Sequence, residues 1–475
     1  MAPRKITINP ISRLEGHGKV TLQLDDQGQV SEARFHVTQF RGFEVFSQGR
    51  PYEEMSSITQ RICGICPVSH QLASAKASDA ILGRPIPETA KLLRELLHMG
   101  QYIQSHAMHF FYLAGPDLLL GWDSDPAKRN VVGVIAAFPD AAVKAMRLRK
   151  FGQEIIKTLA GKKIHPAFAV AGGVTDPLSE KDRDRLMAGF KEGYETARLA
   201  LDLCRGWIEK NIEEVKVFGN FRSNYCGLVD SGGRLNLYDG RLRITDPDRK
   251  AMAEFDPVSY LDYIAEKVEP WSYMKFPYYK PQGYPDGFYR VGPLARLNVA
   301  DGVTTPRAAA ELSRLRQAAE DGLTGGSLMY HYARLVELVY ALEKAEELLK
   351  HPGLCSAEVK VTAPPAHREG VGVIEAPRGT LIHHYWVDGK GAMIKANLIV
   401  ATGHNNVAMN RAVAEVAREY IKNGQVREGI LNRVEGAIRC YDPCLSCATH
   451  ALGRMPLLIQ VLDRDGELLD EISRG

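Results

Sequence analysis

Two Cys-x-x-Cys pairs hold the reactive chemistry of this 475-residue chain: Cys63-Gly64-Ile65-Cys66 and Cys444-Leu445-Ser446-Cys447. Two intervening residues let both thiolates face one metal from a single turn, and four thiolates complete a coordination shell. By ligand type alone, such a set suits zinc or an iron–sulfur centre. Structural zinc pairs sit within about 15–20 residues of one another, whereas here nearly the whole chain intervenes. A closed zinc site also needs no acid or guanidinium beside it. This chain places Arg13-Leu14-Glu15-Gly16-His17 and Arg41-Gly42-Phe43-Glu44 before the first pair, and Glu375-Ala376-Pro377-Arg378-Gly379 before the second. A carboxylate moves protons and a fixed guanidinium holds charge, which are the tasks a reactive metal sets. The ordinary alternative for each is a solvated or salt-bridged surface group, so a zinc-stabilised protein stays open at this point.

The elements that must position these residues follow from periodicity and turn chemistry. Lys19–Leu24 and Val30–Val37 alternate around Asp25-Asp26-Gln27-Gly28 and read as a hairpin between the two Arg/Glu segments. Tyr52–Arg61 reads as a helix delivering the first cysteine pair, and Pro67 starts another through Ala80. Pro87–Ala114 is helical, carries His98, His106 and His109, and ends at Asp117, whose ordinary role is a helix cap. Histidines on such a helix usually make plain hydrogen bonds. Ser179 opens an amphipathic helix with Leu186, Phe190, Tyr194, Ala197, Leu201, Cys204 and Ile208 on one side. Leu235–Thr245 reads as a hairpin turning at Asp239-Gly240, Pro270–Pro306 as an irregular aromatic stretch, and Pro306–Leu349 as one long helix. Strands are expected at Val371–Glu375, Leu381–Val387 and Ala392–Val400, with Arg378 in the Pro/Gly-framed turn between the first two. Thr402 follows, then helices over Val407–Lys422 and Glu428–Arg439 that deliver Asp442 and the second cysteine pair. The expected class is α+β and predominantly α-helical: a long-helix bundle with small antiparallel β-sheets near the N- and C-terminal parts.

Lys and Arg number 60 against 57 Asp and Glu, leaving +3. That balance gives no reason to expect nucleic acid or a membrane surface as a partner. No apolar run spans a bilayer and no apolar signal core opens the sequence, so the chain is expected to be cytoplasmic. Of eight cysteines, four lie in the pairs; Cys204, Cys226, Cys355 and Cys440 stand alone and read as small buried hydrophobes. The chain therefore has one thiolate site and no iron–sulfur array of its own.

Five segments, Arg13–His17, Arg41–Glu44, Arg61–His70, Glu375–Gly379 and Asp442–His450, resemble the signature segments of the catalytic large subunit of nickel–iron hydrogenases, in that family's order and across nearly the whole chain. Arg61–His70 and Tyr441–Cys447 are most similar to the cytoplasmic, bidirectional NAD-reducing type. The resemblance implies reversible heterolytic cleavage of H2. Cys63 and Cys444 would bind nickel terminally, and Cys66 and Cys447 would bridge it to an iron carrying carbon monoxide and two cyanides. Glu15 would exchange a proton with the Cys444 thiolate. Arg378 would face the open position, oriented by Asp117 and Asp442, while His70 and Thr402 would lie near the diatomic ligands. Glu44 and His450 would hold a structural Mg2+. The resemblance also implies a single large-subunit domain over residues 1–450. Residues 451–475 would be an extension that a maturation endopeptidase removes after His450, although Leu457–Val461 and Glu467–Ile472 around Asp465-Gly466 also read as an ordinary hairpin. Electrons would pass first to an iron–sulfur small subunit, then to flavin-containing diaphorase subunits, so that iron–sulfur clusters, FMN and NAD belong to partners only. A hydrogen sensor using the same site and a structural subunit like the quinone-site subunit of respiratory complex I are the competing roles; the latter lacks the paired cysteines.

Overall fold

The computed structural model describes residues 4–318, 323, 325–449, 457–464 and 467–474. Arg4–Ile8, Gly18–Leu24 and Val30–Val37 form an antiparallel sheet in chain order, with Lys19 opposite His36. Along Gly18–Leu24 every second residue is buried, as the alternating sequence requires of a sheet with one face on the core. The loop before this strand holds Arg13 and Glu15.

Three helical pieces rather than one cross Tyr52–Ile62, with tight turns at Tyr52–Glu54 and Gln60–Ile62 around Met55–Thr59. Pro67–Leu82 then begins directly after Cys66, with proline in its first turn where a missing N–H costs nothing. The expected helix from Pro87 continues as Glu88–Met108, widens into a π-helical turn over His109–Ala114, and resumes as Gly115–Leu120. Its partner, Pro139–Ala160, crosses it at paired glycines: a Cβ on Gly152 would lie 2.7 Å from the Gly100 carbonyl oxygen. The Ser179 hydroxyl caps Glu180–Met187 by accepting from the Asp182 N–H, and the apolar stripe continues into Phe190–Lys210.

The single long helix expected over Pro306–Leu349 is two helices, Pro306–Ala318 and Met329–Leu349, the second buried along most of its length. The Leu235–Thr245 hairpin is likewise replaced. Arg241–Thr245 pairs with Asn224–Val229 and Ala251–Phe255, because the apolar Asn224–Val229 is buried on both faces and supplies a better partner. Tyr289–Arg290 joins this sheet in parallel. Inside the stretch expected to be irregular lie Phe276–Tyr279, paired with Ile264–Lys267, and the helix Pro293–Val299.

Glu369–Ala376, Gly379–Val387 and Met393–Ile399 form the C-terminal antiparallel sheet, with Glu375 opposite Thr380. It lies so close on Pro67–Leu82 that a Cβ on Gly372 would meet the Ala73 carbonyl oxygen at 2.1 Å. Ala401–His404, Asn406–Tyr420 and Glu428–Arg439 lead to the second cysteine pair. Leu457–Leu462 and Leu468–Arg474 pair as a hairpin, whereas the Asp465-Gly466 turn and His450 lie outside the described residues. Among the described residues no helix is long and apolar enough to cross a membrane.

Candidate metal centre

The two ends of the chain meet. Glu15 and Cys444 form a parallel bridge, with the Leu445 N–H donating to the Glu15 carbonyl at 3.0 Å. This brings Cys63 Sγ to 3.2 Å from Cys444 Sγ, Cys66 Sγ to 3.3 Å from Cys447 Sγ, and Cys444 Sγ to 2.8 Å from Cys447 Sγ. All four sulfurs lie within 4.8 Å of one another, and all four residues are buried.

Each remaining group reaches this cluster from a different element. Glu15 Oε2 lies 3.0 Å from Cys444 Sγ and accepts from the Ser446 N–H at 3.1 Å. Thr402 Oγ1 accepts the Cys444 N–H at 2.9 Å, so this hydroxyl fixes the backbone of a cysteine. Arg378 donates from Nε to the Asp442 carbonyl at 2.6 Å and from Nη2 to Asp442 Oδ1 at 3.1 Å. Asp442 meets it from a left-handed conformation (φ +53°), which aspartate tolerates better than most residues. Arg378 Nη1 and Asp442 Oδ2 are buried with no hydrogen-bond partner among the described residues. A small cavity lies there, lined by Cys66, His70, Pro377, Arg378, Thr402, Cys444 and Cys447. His70 Nδ1 is 3.1 Å from His383 Nε2, which sequence reasoning did not single out.

Burial would lower the Arg378 guanidinium, but Asp442, Cys444, Cys66 and Cys63 outweigh it and hold the pKa well above its ordinary value. Hydrogen bonds from Cys444, Cys447 and Cys66 hold Cys63 well below the usual thiol range, whereas burial pushes Cys444 and Cys447 up. Burial also lowers His70 to about 4, so its ring is neutral near pH 7. Four converging sulfurs beside a fixed cation and two unpaired buried polar atoms fit a soft metal centre of the nickel–iron kind, whose binding must displace thiol protons.

Asp117 is elsewhere. The expectation that it orients Arg378 is replaced by Asp442 acting alone among the described contacts. Asp117 follows the π-helical turn and faces the N-terminal loop and the helix Glu428–Arg439, where Arg13 (2.5 Å), Arg439 and Asn432 (2.9 Å) take its oxygens. Glu44 is also apart from the sulfurs; its Oε1 accepts the Leu398 N–H at 2.8 Å, and burial pushes its carboxyl up to about 7. The three histidines of the long helix make plain hydrogen bonds, His98 to the Glu375 carbonyl, His106 to Glu337 and His109 to the Arg439 carbonyl. Cys204, Cys226 and Cys440 are buried as expected, whereas Cys355 is partly exposed.

A helical body in which distant segments bring four thiolates into one buried cluster is the frame of a hydrogenase large subunit: the chain belongs to the nickel-dependent hydrogenase family, whose model matches residues 41–128 and 235–450, preceded by a HoxL-like match over 5–40. More particularly, the chain is 45% identical to the NAD-reducing hydrogenase HoxS subunit beta of Cupriavidus necator, over 99% of this chain and all of that one. It is 48% identical to a subunit of the vhu F420-non-reducing hydrogenase of Methanocaldococcus jannaschii, over 88% of this chain and all of that one. Among solved structures, an NAD+-reducing [NiFe]-hydrogenase in the H2-reduced state superposes with a TM-score of 0.92 at 47% identity, covering 94% of this chain and 99% of that one. The fold is therefore that of the nickel–iron hydrogenase large subunit.

Proposed function

We propose that this chain is the catalytic subunit of a hydrogenase that splits H2 reversibly and heterolytically and passes the electrons, through partner subunits, to NAD. The observation that carries this reading is Glu15 Oε2 at 3.0 Å from the sulfur of Cys444, one of four converging thiolates. When bound, a nickel–iron centre with carbon monoxide and two cyanides on iron supplies the site for cleaving H2 and taking up its electrons. Cys63, Cys66, Cys444 and Cys447 would hold this centre through their thiolates. Glu15, fixed by the Ser446 N–H, takes the proton from Cys444 Sγ and gives it back in the reverse direction. Arg378, kept cationic in the cavity, places positive charge where the reacting hydrogen is polarised, and Asp442 holds its aim. Neutral His70 and the small cavity beside Thr402 suit the diatomic ligands.

Glu44, with His450, would hold Mg2+; a carboxyl this buried would be stabilised in its charged form by such a cation. Residues 451–475 are a precursor segment removed after His450 by a maturation endopeptidase, leaving residues 1–450 as the working domain. With one thiolate cluster among the described residues, electrons leave through a small subunit with iron–sulfur clusters and through flavin-containing diaphorase subunits in the cytoplasm. The near full-length match to the NAD-reducing relative favours NAD as acceptor.

Hydrogen–deuterium exchange by the purified complex, with infrared bands for carbon monoxide and cyanide, is the test. Cys444→Ala should abolish both; exchange retained in that variant would sink the assignment.

A further inference from the structure

The turn that carries Arg378 is gripped from behind. Arg296, on the helix Pro293–Val299, is wholly buried. It donates from Nη1 to Glu375 Oε2 at 2.9 Å and to the Ala376 carbonyl at 2.8 Å, and from Nη2 to the Pro377 carbonyl at 3.1 Å. One side chain thus collects acceptors from the three successive residues before Arg378. Its other edge forks on Glu337, Nε to Oε1 at 2.6 Å and Nη2 to Oε2 at 2.7 Å, and His106 Nε2 sits 3.0 Å from that same Glu337 Oε2. The start of the same helix braces Arg378 itself. Gly292, at φ +92°, is so close that a Cβ there would lie 2.7 Å from the Arg378 carbonyl oxygen.

The two arginines differ in how they end. Arg296 has every terminal nitrogen bonded, whereas Arg378 keeps Nη1 without a partner among the described residues, beside the thiolates. A guanidinium is the one side chain whose planar set of donors can serve two carboxylates and two carbonyls together; a lysine keeps the charge but reaches as a point.

We infer that Arg296 is a positioning residue, which aims Arg378 into the thiolate cavity by holding the Glu375–Pro377 turn in place. This rests on the reading above, in which Arg378 acts on the reacting hydrogen. A reacting group misplaced by about 1 Å can lose about 10²-fold in rate.

A double-mutant cycle on the purified complex tests this. R296K should lower hydrogen–deuterium exchange about 10²-fold, and R378K about 10²–10³-fold. Because Arg296 acts through Arg378, the double variant should match R378K within about twofold. Nickel and iron contents should stay at wild-type levels, and both single variants should move the infrared bands of the centre in the same direction. Multiplying losses, or unmoved bands in R296K, overturn the inference. Should R296K not accumulate with metal, Glu337→Gln, which leaves the Glu375–Pro377 contacts of Arg296 in place and loosens its far edge together with the His106 contact, replaces it under the same two criteria. A wild-type complex lacking exchange and bands overturns the functional reading and this inference together; a normal wild type with a multiplicative cycle overturns this inference alone.

Discussion

Cys63 and Cys66 stand at the mouth of the helix Pro67–Leu82, with Cys66 as its cap residue and the Cys63 sulfur accepting the Ile65 N–H at 3.2 Å. Cys444 caps and Cys447 closes a single turn, Leu445–Cys447, and what holds that turn comes from elsewhere in the sequence: Glu15 through its carbonyl and carboxylate, and Thr402 through its hydroxyl. The first pair is held by its own helix and by side chains within 39 positions, Arg41 on the Ile62 carbonyl and Gln101 and Gln104 on the Ile65 carbonyl, whereas the second depends on Glu15, 431 positions from the Ser446 N–H it accepts. A metal held between them senses whether the distant contacts have formed.

The largest effect should come from the proton-carrying contact of the second half. Glu15→Gln keeps the shape and removes the exchangeable acid, so hydrogen–deuterium exchange should fall by about 10²–10⁴-fold with nickel and iron retained; an unchanged rate would separate Glu15 from Cys444. Gly16→Ala attacks the same junction through the backbone. Gly16 adopts φ +90°, and an added Cβ would lie 2.7 Å from Leu445 Cβ. A cost of about 1–3 kcal/mol, read by thermal unfolding, should accompany reduced nickel content. Thr402→Val leaves the buried Cys444 N–H without its acceptor and should cost about 1–3 kcal/mol, with metal binding weakened less than by Gly16→Ala.

A pH titration of the metal-free chain examines the segment before the first pair. Glu44 is raised from 4.5 to about 7 by burial, so the folded chain binds the extra proton and the unfolded chain releases it. Glu44 therefore makes stability fall as pH rises from about 4.5 to about 7, and Glu44→Gln should flatten that slope in denaturant melts. The smallest effect belongs to Gly64→Ala. Nothing lies within 4 Å of a Cβ there, and Gly64 has no positive φ, so stability should change by less than about 0.5 kcal/mol. A large loss at Gly64 would erase the contrast between the two halves.

The same contrast explains what could be read from sequence. Cys63, Cys66 and the helix after them are legible because spacing, proline and periodicity are local signals. Glu15 and Arg378 could be named from the chemistry a metal needs, and the resemblance supplied their roles, but which atoms they touch depends on pairings across the whole chain. Asp117 shows the difference. As a carboxylate at a helix boundary it was visible, yet its partners are chosen by Arg13 and Arg439, which arrive from opposite ends of the sequence. The break between Pro306–Ala318 and Met329–Leu349 does carry a local signal, Asp321-Gly322 and Gly325-Gly326-Ser327, which the apolar spacing on either side outweighed; the central sheet was hidden because its strands are short and pair out of order. Arg296 gave no signal at all: in sequence it is one arginine of a short helix, and only tertiary packing brings Glu337 and Glu375 to it.

The bridge between Glu15 and Cys444 also sets a clock. Cys63 and Cys444 are 381 positions apart, and ribosomes add about 5–20 residues per second. Each new copy thus spends roughly 20–80 s with its first two thiols made and their partners not yet synthesised. Throughout that interval Cys63 and Cys66 lack half of the sulfurs that define the site, so the complete pocket can be offered to metal only once Cys447 has been made.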